Sequence, residues 1–156
     1  MGSTVRAEVV ADINEVKAAY IYNFLKYTTW PDKLSEGPVH IGVLNEDALF
    51  EKLSRVTSAK LIANRPILIT KLTSLKDAKH FHVIFLGPNE VDAARQLRTL
   101  PVLVVTYKAS KIEGTGIMIN LYEDGGNIKF EIDVSTISDS QLKVSSQLLK
   151  LAKVVK

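Results

Sequence analysis

Few side chains in this sequence are of a type and spacing that could do chemistry. There are three histidines, His40, His80 and His82, and no cysteine. His80 and His82 alternate, so an extended strand would project both rings from one face. No carboxylates at ligand-like spacing accompany them, and packing or loop contacts account for the pair more simply than a metal site. Without cysteine there is no thiolate nucleophile, no disulfide framework and no Cys-based zinc or iron–sulfur site. Two polar pairs, Glu46-Asp47 and Asn89-Glu90, follow apolar runs. An open α/β sheet exposes its ligand crevice at such positions, outside the carboxyl ends of its strands. Either pair can meet a polar group of a ligand, or simply open the helix that follows, where acidic side chains offset the dipole. Gly-x-Gly-x-x-Gly does not follow the first strand-like run, and no Gly-Lys-Ser/Thr, His-Glu-x-x-His or Gly-x-Ser-x-Gly occurs. Gly114-Thr115-Gly116 precedes a hairpin pattern and reads as a flexible loop. These residues favour a binding or regulatory protein over an enzyme, and they imply no cofactor and no metal.

The elements that would position such groups start with Val16 to Pro31, VKAAYIYNFLKYTTWP. Asp12 with Glu15 has the spacing of a capping box, which predicts a helix beginning near Ile13. Ile13, Val16, Tyr20, Phe24 and Tyr27 recur at spacings of three and four, and Ala18, Ile21, Tyr22 and Leu25 form a second row on the opposite side. A helix apolar nearly all round is expected to lie between two neighbours or in an interface. Pro31 biases Trp30 away from helix and marks the end. Asn23, the uncharged amide inside this run, is expected to make a structural hydrogen bond holding the next loop.

After a Ser-Glu-Gly-Pro break, Val39–Leu44 reads as a strand buried on both faces, followed by a helix over Asp47–Val56. Pro66–Ile69 is a second strand, then Ser74–Lys79 offers a short helix. Phe81–Leu86 is a third strand, ending in Gly87-Pro88-Asn89, a turn and cap for a helix carrying Val91, Ala94 and Leu97. Pro101–Thr106 is a fourth. This alternation predicts a parallel sheet with helices on its faces. The pattern then changes to a hairpin, with Ile117, Ile119 and Leu121 facing Ile128, Phe130 and Ile132 across Asp124-Gly125-Gly126-Asn127. It should extend the sheet as an antiparallel addition at one edge. Leu142–Val155 places Leu148, Leu151 and Val155 on one helical stripe with Leu149 and Ala152 beside it, with Ser145 or Ser146 as N-cap. The expected fold is α/β: a single three-layer domain, mostly parallel sheet extended by an antiparallel hairpin, helices on both faces.

With 156 residues, 46% of them apolar and 24% charged, the chain can bury a proper core and is not disordered. The net charge of +3 is spread along the chain, so no nucleic-acid tract or polybasic anchor is seen. No apolar run approaches the roughly 18 to 20 residues that span a bilayer. Met1-Gly2-Ser3 reads as an expression scar standing where a natural leader was removed. Residues 1–11 are therefore set apart as scar and leader-proximal segment, and 12–156 as the domain.

Two distant stretches, VKAAYIYNFLKYTTWP and GGNIKFEIDVSTISDSQLKVSSQLLKLAKVV, together resemble the opening and closing signatures of the YfiR family. The first matches its Lys-Ala-Ala, Tyr-Asn-Phe, Trp-Pro pattern. The second matches Phe-Glu-Ile-Asn/Asp at Phe130–Asp133 and Leu-x-Ile/Val-Ser-Ser-x-Leu-Leu-x-Leu-Ala at Leu142–Ala152. Between them, Asn64-Arg65-Pro66-Ile67 is similar to a Gly-Arg-Pro-Val/Ile element, and His82-Val83-Ile84-Phe85 to a Cys-His-Val-Leu-Phe strand. Phe81 stands where that strand has its cysteine, so redox control through a disulfide there is not open to this chain. The resemblance implies a periplasmic, non-enzymatic regulator, commonly dimeric, that represses an inner-membrane diguanylate cyclase through the cyclase's periplasmic region. It also implies sequestration by an outer-membrane lipoprotein, and lower cyclic-di-GMP and biofilm formation. The alternative is a small-ligand-binding sensory input domain for a membrane-linked signalling protein. Tyr20, Tyr22, Phe24 and Trp30 are the expected partner or dimer interface residues. Asn45, Glu46, Asp47, Gly87, Asn89 and Tyr107 are the expected crevice residues.

Overall fold

The computed structural model describes residues 13–31 and 34–155. Asp12, on which the capping box depends, lies outside the described residues, as does the 1–11 segment. Helix α1 covers Ile13–Lys26 with Glu15 in its first turn. It stops short of the Trp-Pro signal because Thr28–Thr29 turns extended as β1 and pairs antiparallel with Val144 and Lys143 of β9 (Lys143–Val144). β-branched residues fit a strand better than a last helical turn. Nor is α1 buried all round. Lys17, Ala18, Ile21, Phe24 and Leu25 form the buried stripe, whereas Tyr20, Tyr22 and Tyr27 are half-buried. Asn23 is exposed, so the expected buried amide is not there. The reason is geometric: α1 lies on one sheet face beside a single helical neighbour, which leaves its outer face to solvent.

That neighbour is α2 (Asp47–Thr57), which follows β2 (Val39–Leu44). The chain continues through β3 (Leu61–Ile62), β4 (Arg65–Leu72), β5 (Val83–Leu86), β6 (Leu103–Tyr107), β7 (Ile119–Asp124) and β8 (Asn127–Asp133). With β10 (Lys153–Val155) they make a sheet of order β10-β8-β7-β6-β5-β2-β4-β3. β4, β2, β5, β6 and β7 run parallel, while β8 and β3 are antiparallel to their inner neighbours. Alternate residues serve the two faces. Val83, Phe85, Leu103 and Val105 join α1 and α2 in one apolar cluster, and Ile84, Leu86, Val102 and Val104 join Ala94, Leu97 and Ile112 in another. The helical cover on that second face is 3-10 in geometry: a segment at Pro88–Leu97 and one turn at Ala78–His80. The short helix expected at Ser74–Lys79 is thus reduced to a turn displaced towards its end.

The hairpin turns at Gly125 (φ 58°) and Gly126 (φ 86°), both left-handed, as a two-residue connection between twisted strands requires. It is not the sheet edge, because β10 adds parallel to β8 outside it. The predicted C-terminal helix is the largest correction. Of Leu142–Val155, only Ser146–Leu149 is helical (α4, after α3 at Val134–Asp139), capped by the Ser145 hydroxyl, which accepts from the Gln147 N–H. Strands β9 and β10 take the rest. Leu148 is buried, but Leu151, placed on the same stripe by periodicity, is 74% exposed.

Candidate functional site

β2 leads through α2 to β4 on one side, whereas β5 leads through the 3-10 segment to β6 on the other. The carboxyl ends of β2 and β5 therefore form a topological switch point, where open α/β sheets take ligands. Here the two loops touch. The Gly87 N–H donates to Leu44 O at 2.8 Å, and a Cβ on Gly87 would stand 2.1 Å from Asn45 O, so only glycine fits. Asn45, itself left-handed at φ 56°, donates from Nδ2 to Glu90 Oε1. These contacts split the expected crevice set. Asn45 borders a hollow on the second face with Thr73, Leu75 and Glu90. Asp47 faces outward and pairs with Lys71 at 3.2 Å, and Asn89 is exposed. Glu46 and Tyr107 come together on the α1 side, around a 260 Å³ cavity with Lys17, Phe85, Leu86, Pro88 and Lys108. A larger hollow of 500 Å³ lies beyond Tyr107, against Ile13, Val16, Tyr20, Glu123 and Ile128.

Lys17 is the unusual group at this end. It is 5% exposed, its Nζ sits 4.1 Å from the Tyr107 ring centroid, and among the described residues it makes no hydrogen bond or ion pair. Burial pushes its pKa below the ordinary lysine value; the Glu46 carboxylate opposes this and Lys108 adds to it. Tyr107 donates to Glu123 Oε1 at 2.7 Å, with Lys108 Nζ 3.4 Å from the same oxygen. Burial, then the Glu123 carboxylate, raise the phenol to about 12, so it stays a donor at physiological pH.

At the amino ends of the strands the polar groups are arranged differently. His82 is buried; its Nδ1 accepts from the His40 N–H at 3.0 Å, which places the ring proton on Nε2, and Nε2 donates to Leu34 O at 2.7 Å. Trp30 Nε1 donates to His82 O at 2.9 Å. Arg65 donates to Gly37 O at 2.7 Å from Nε and to Leu34 O at 2.8 Å from Nη2. Burial lowers the His82 pKa; the Leu34 carbonyl opposes this, and the Arg65 and His40 charges add to it. Trp30, Arg65 and His82 come from three separate sequence stretches and together clamp the loop after α1. Beside them lies a 220 Å³ hollow where Thr28 Oγ1 is buried without a partner among the described residues.

The four expected interface residues are all engaged within the chain. Phe24 is fully buried, its ring 5.1 Å from that of Phe130, so it offers no surface to a partner. Tyr20 donates to Ile128 O at 2.6 Å and Tyr22 to Leu61 O at 3.3 Å, and Trp30 belongs to the clamp. Large exposed apolar side chains lie instead at the two sheet edges, Leu61 (53%) and Leu68 (46%) at the β3–β4 end and Leu151 (74%) and Val154 (48%) at the β10 end. Sequence reasoning missed Lys17 and Arg65 as site residues. The signal for Lys17 was present: Ile21 and Leu25 lie four and eight residues on, so a charge sits on the buried stripe.

Compared with known protein families, residues 14–153 match the model described as YfiR/HmsC-like. No curated protein matches the chain. Among the described residues no helix is long and apolar enough to cross a membrane, and no group of three His, Asp or Glu side chains could hold a metal.

Proposed function

The chain belongs to the YfiR/HmsC-like family, and from that premise we propose that its 12–156 domain is a periplasmic, non-enzymatic regulator that represses an inner-membrane diguanylate cyclase by direct contact. The observation that carries this reading is the family match across nearly the whole domain. Bound, the regulator holds the periplasmic region of the cyclase in its inactive arrangement, which requires tighter binding to the inactive state than to the active one. Cyclic-di-GMP and biofilm formation fall as a result. An outer-membrane lipoprotein that removes the regulator would restore synthesis, and a homodimer is the assembly in which it acts.

Leu61 and Leu68, exposed next to the outer edge of β4, support a contact mechanism. Among the described residues only Arg65 and Pro66 of that edge are paired by β3, which leaves Ile67–Leu72 open to another chain. Co-expressing the exported protein with an inner-membrane diguanylate cyclase of the same organism should lower cyclic-di-GMP, and Leu68→Glu should restore it without loss of folding. Unchanged cyclic-di-GMP despite demonstrated export overturns the repressor reading.

A further inference from the structure

An ammonium held against apolar groups with no acceptor is costly, because it gives up part of its hydration unless a counter-charge or hydrogen bonds replace it. Among the described residues, Lys26 and Lys60 also lie over tyrosine rings without a carboxylate, but both are exposed to water, and other cations near apolar surface are paired. Lys71, Lys108 and Lys129 each have a carboxylate, and Arg65 has carbonyls. Lys17 has only the faces of aromatic rings, Tyr107 at 4.1 Å and Phe85 at 6.0 Å. A cation over a ring regains only part of the hydration it gives up. Its ammonium also borders a cavity of 260 Å³ whose other walls are mostly apolar, with a second cation, Lys108, at the rim. The cavity lies at the carboxyl ends of β5 and β6, beside the switch point. A void of that size, apolar walls and an ammonium facing it without a hydrogen-bond acceptor are the complement of one ligand chemistry.

We propose that this cavity is a binding site for a small organic anion, its flat apolar body against Phe85, Pro88 and Tyr107 and its negative group at Lys17 and Lys108. Such a ligand supplies the acceptor that Lys17 lacks. Glu46, half-buried at the same cavity, acts in the opposite sense by repelling the anion and keeping the free site from taking up every anion in solution. The inference does not rest on the repressor reading, because an isolated domain would bind the same ligand.

The test is calorimetric titration of the purified domain with naphthalene-1-sulfonate as probe and neutral 1-naphthalenemethanol as its control. Saturable one-to-one binding of the sulfonate is expected. Lys17→Met should weaken it by about tenfold or more, the loss of one charge-assisted hydrogen bond. Glu46→Gln should tighten it, and the alcohol should bind more weakly than the sulfonate. The opposite signs of the two variants separate a built site from general stickiness, and Glu46→Gln carries the test alone should Lys17→Met fail to fold. No saturable sulfonate binding at about 1 mM, or equal affinity for wild type and Glu46→Gln, overturns the proposal.

Discussion

The two ends of the central sheet treat charge in opposite ways. At the amino end, both His82 ring nitrogens and the Arg65 guanidinium meet backbone groups, and the result is a clamp that joins Trp30, Leu34, Gly37 and His40. At the carboxyl end, Lys17 is buried more deeply than a lone cation should be and has no acceptor among the described residues. Polar groups that are fully satisfied hold a fold together. One left unsatisfied is destabilising by itself and is tolerated where something else completes it. For charged groups the difference assigns structure to the amino-end clamp and recognition to Lys17 at the carboxyl end, although Thr28 Oγ1 beside the clamp also lacks a partner among the described residues and family-like motifs contribute residues to both ends.

The strongest blow to this contrast would come from the clamp. His82→Ala orphans the His40 N–H, leaves the Leu34 carbonyl to Arg65 alone and opens space beside the Trp30 ring, 5.4 Å away. Unfolding in urea should show a loss of about 3 kcal/mol, from one unmet donor, one lost hydrogen bond and a cavity. Sulfonate binding by the folded fraction should not change. A neutral effect on stability would mean that the clamp does not hold the loop.

A smaller effect follows from the titration of His82. Folding holds its pKa below the ordinary histidine value, so the unfolded chain takes up the proton first as the pH falls. Its stabilising contribution is complete above about pH 6.5 and is lost as pH falls from there through the depressed folded-state value. Urea midpoints at about pH 7.5 and about pH 5 should differ more in wild type than in His82→Asn, which has no proton to gain there. Equal differences would sink the neutral, doubly bonded ring.

The strands of this contrast were legible in sequence where each run is buried on both faces, as in Val39–Leu44 and Phe81–Leu86, and the hairpin was legible because Gly125-Gly126 permits its turn. The C-terminal segment was not. Leu148, Leu151 and Val155 keep helical spacing, but Val144 and Val154 fall in short strands recruited by β1 and by the open side of β8, partners that no local window contains. The expected crevice residues do not gather around one cavity. Glu46 and Tyr107 line the one beside Lys17, but Asn45, Asp47, Gly87 and Asn89 are turned to other contacts or to solvent, because which side a loop residue faces depends on the neighbouring loop. Lys17 shares the helical spacing of Ile21 and Leu25, which was the one local signal of its burial.

The smallest effect is the most telling, because its sign is reversed. Burial holds Lys17 below the ordinary lysine pKa, which makes the charged form less favourable in the folded protein than in the unfolded chain. The cost is present wherever Lys17 is charged, and it is relieved as the pH rises through the depressed folded value towards that of the unfolded chain. Methionine has a similar length, no charge and a sulfur suited to the Tyr107 face. Lys17→Met gives up a cation–π contact and the attraction of Glu46 but removes a largely desolvated charge that has no hydrogen-bond acceptor, and a net gain of about 1 kcal/mol is expected. The urea midpoint should rise while naphthalene-1-sulfonate binding falls. A gain in stability joined to a loss of binding is the signature of a residue kept for recognition, whereas a drop in the midpoint would make Lys17 one more member of the scaffold and remove the distinction between the two ends.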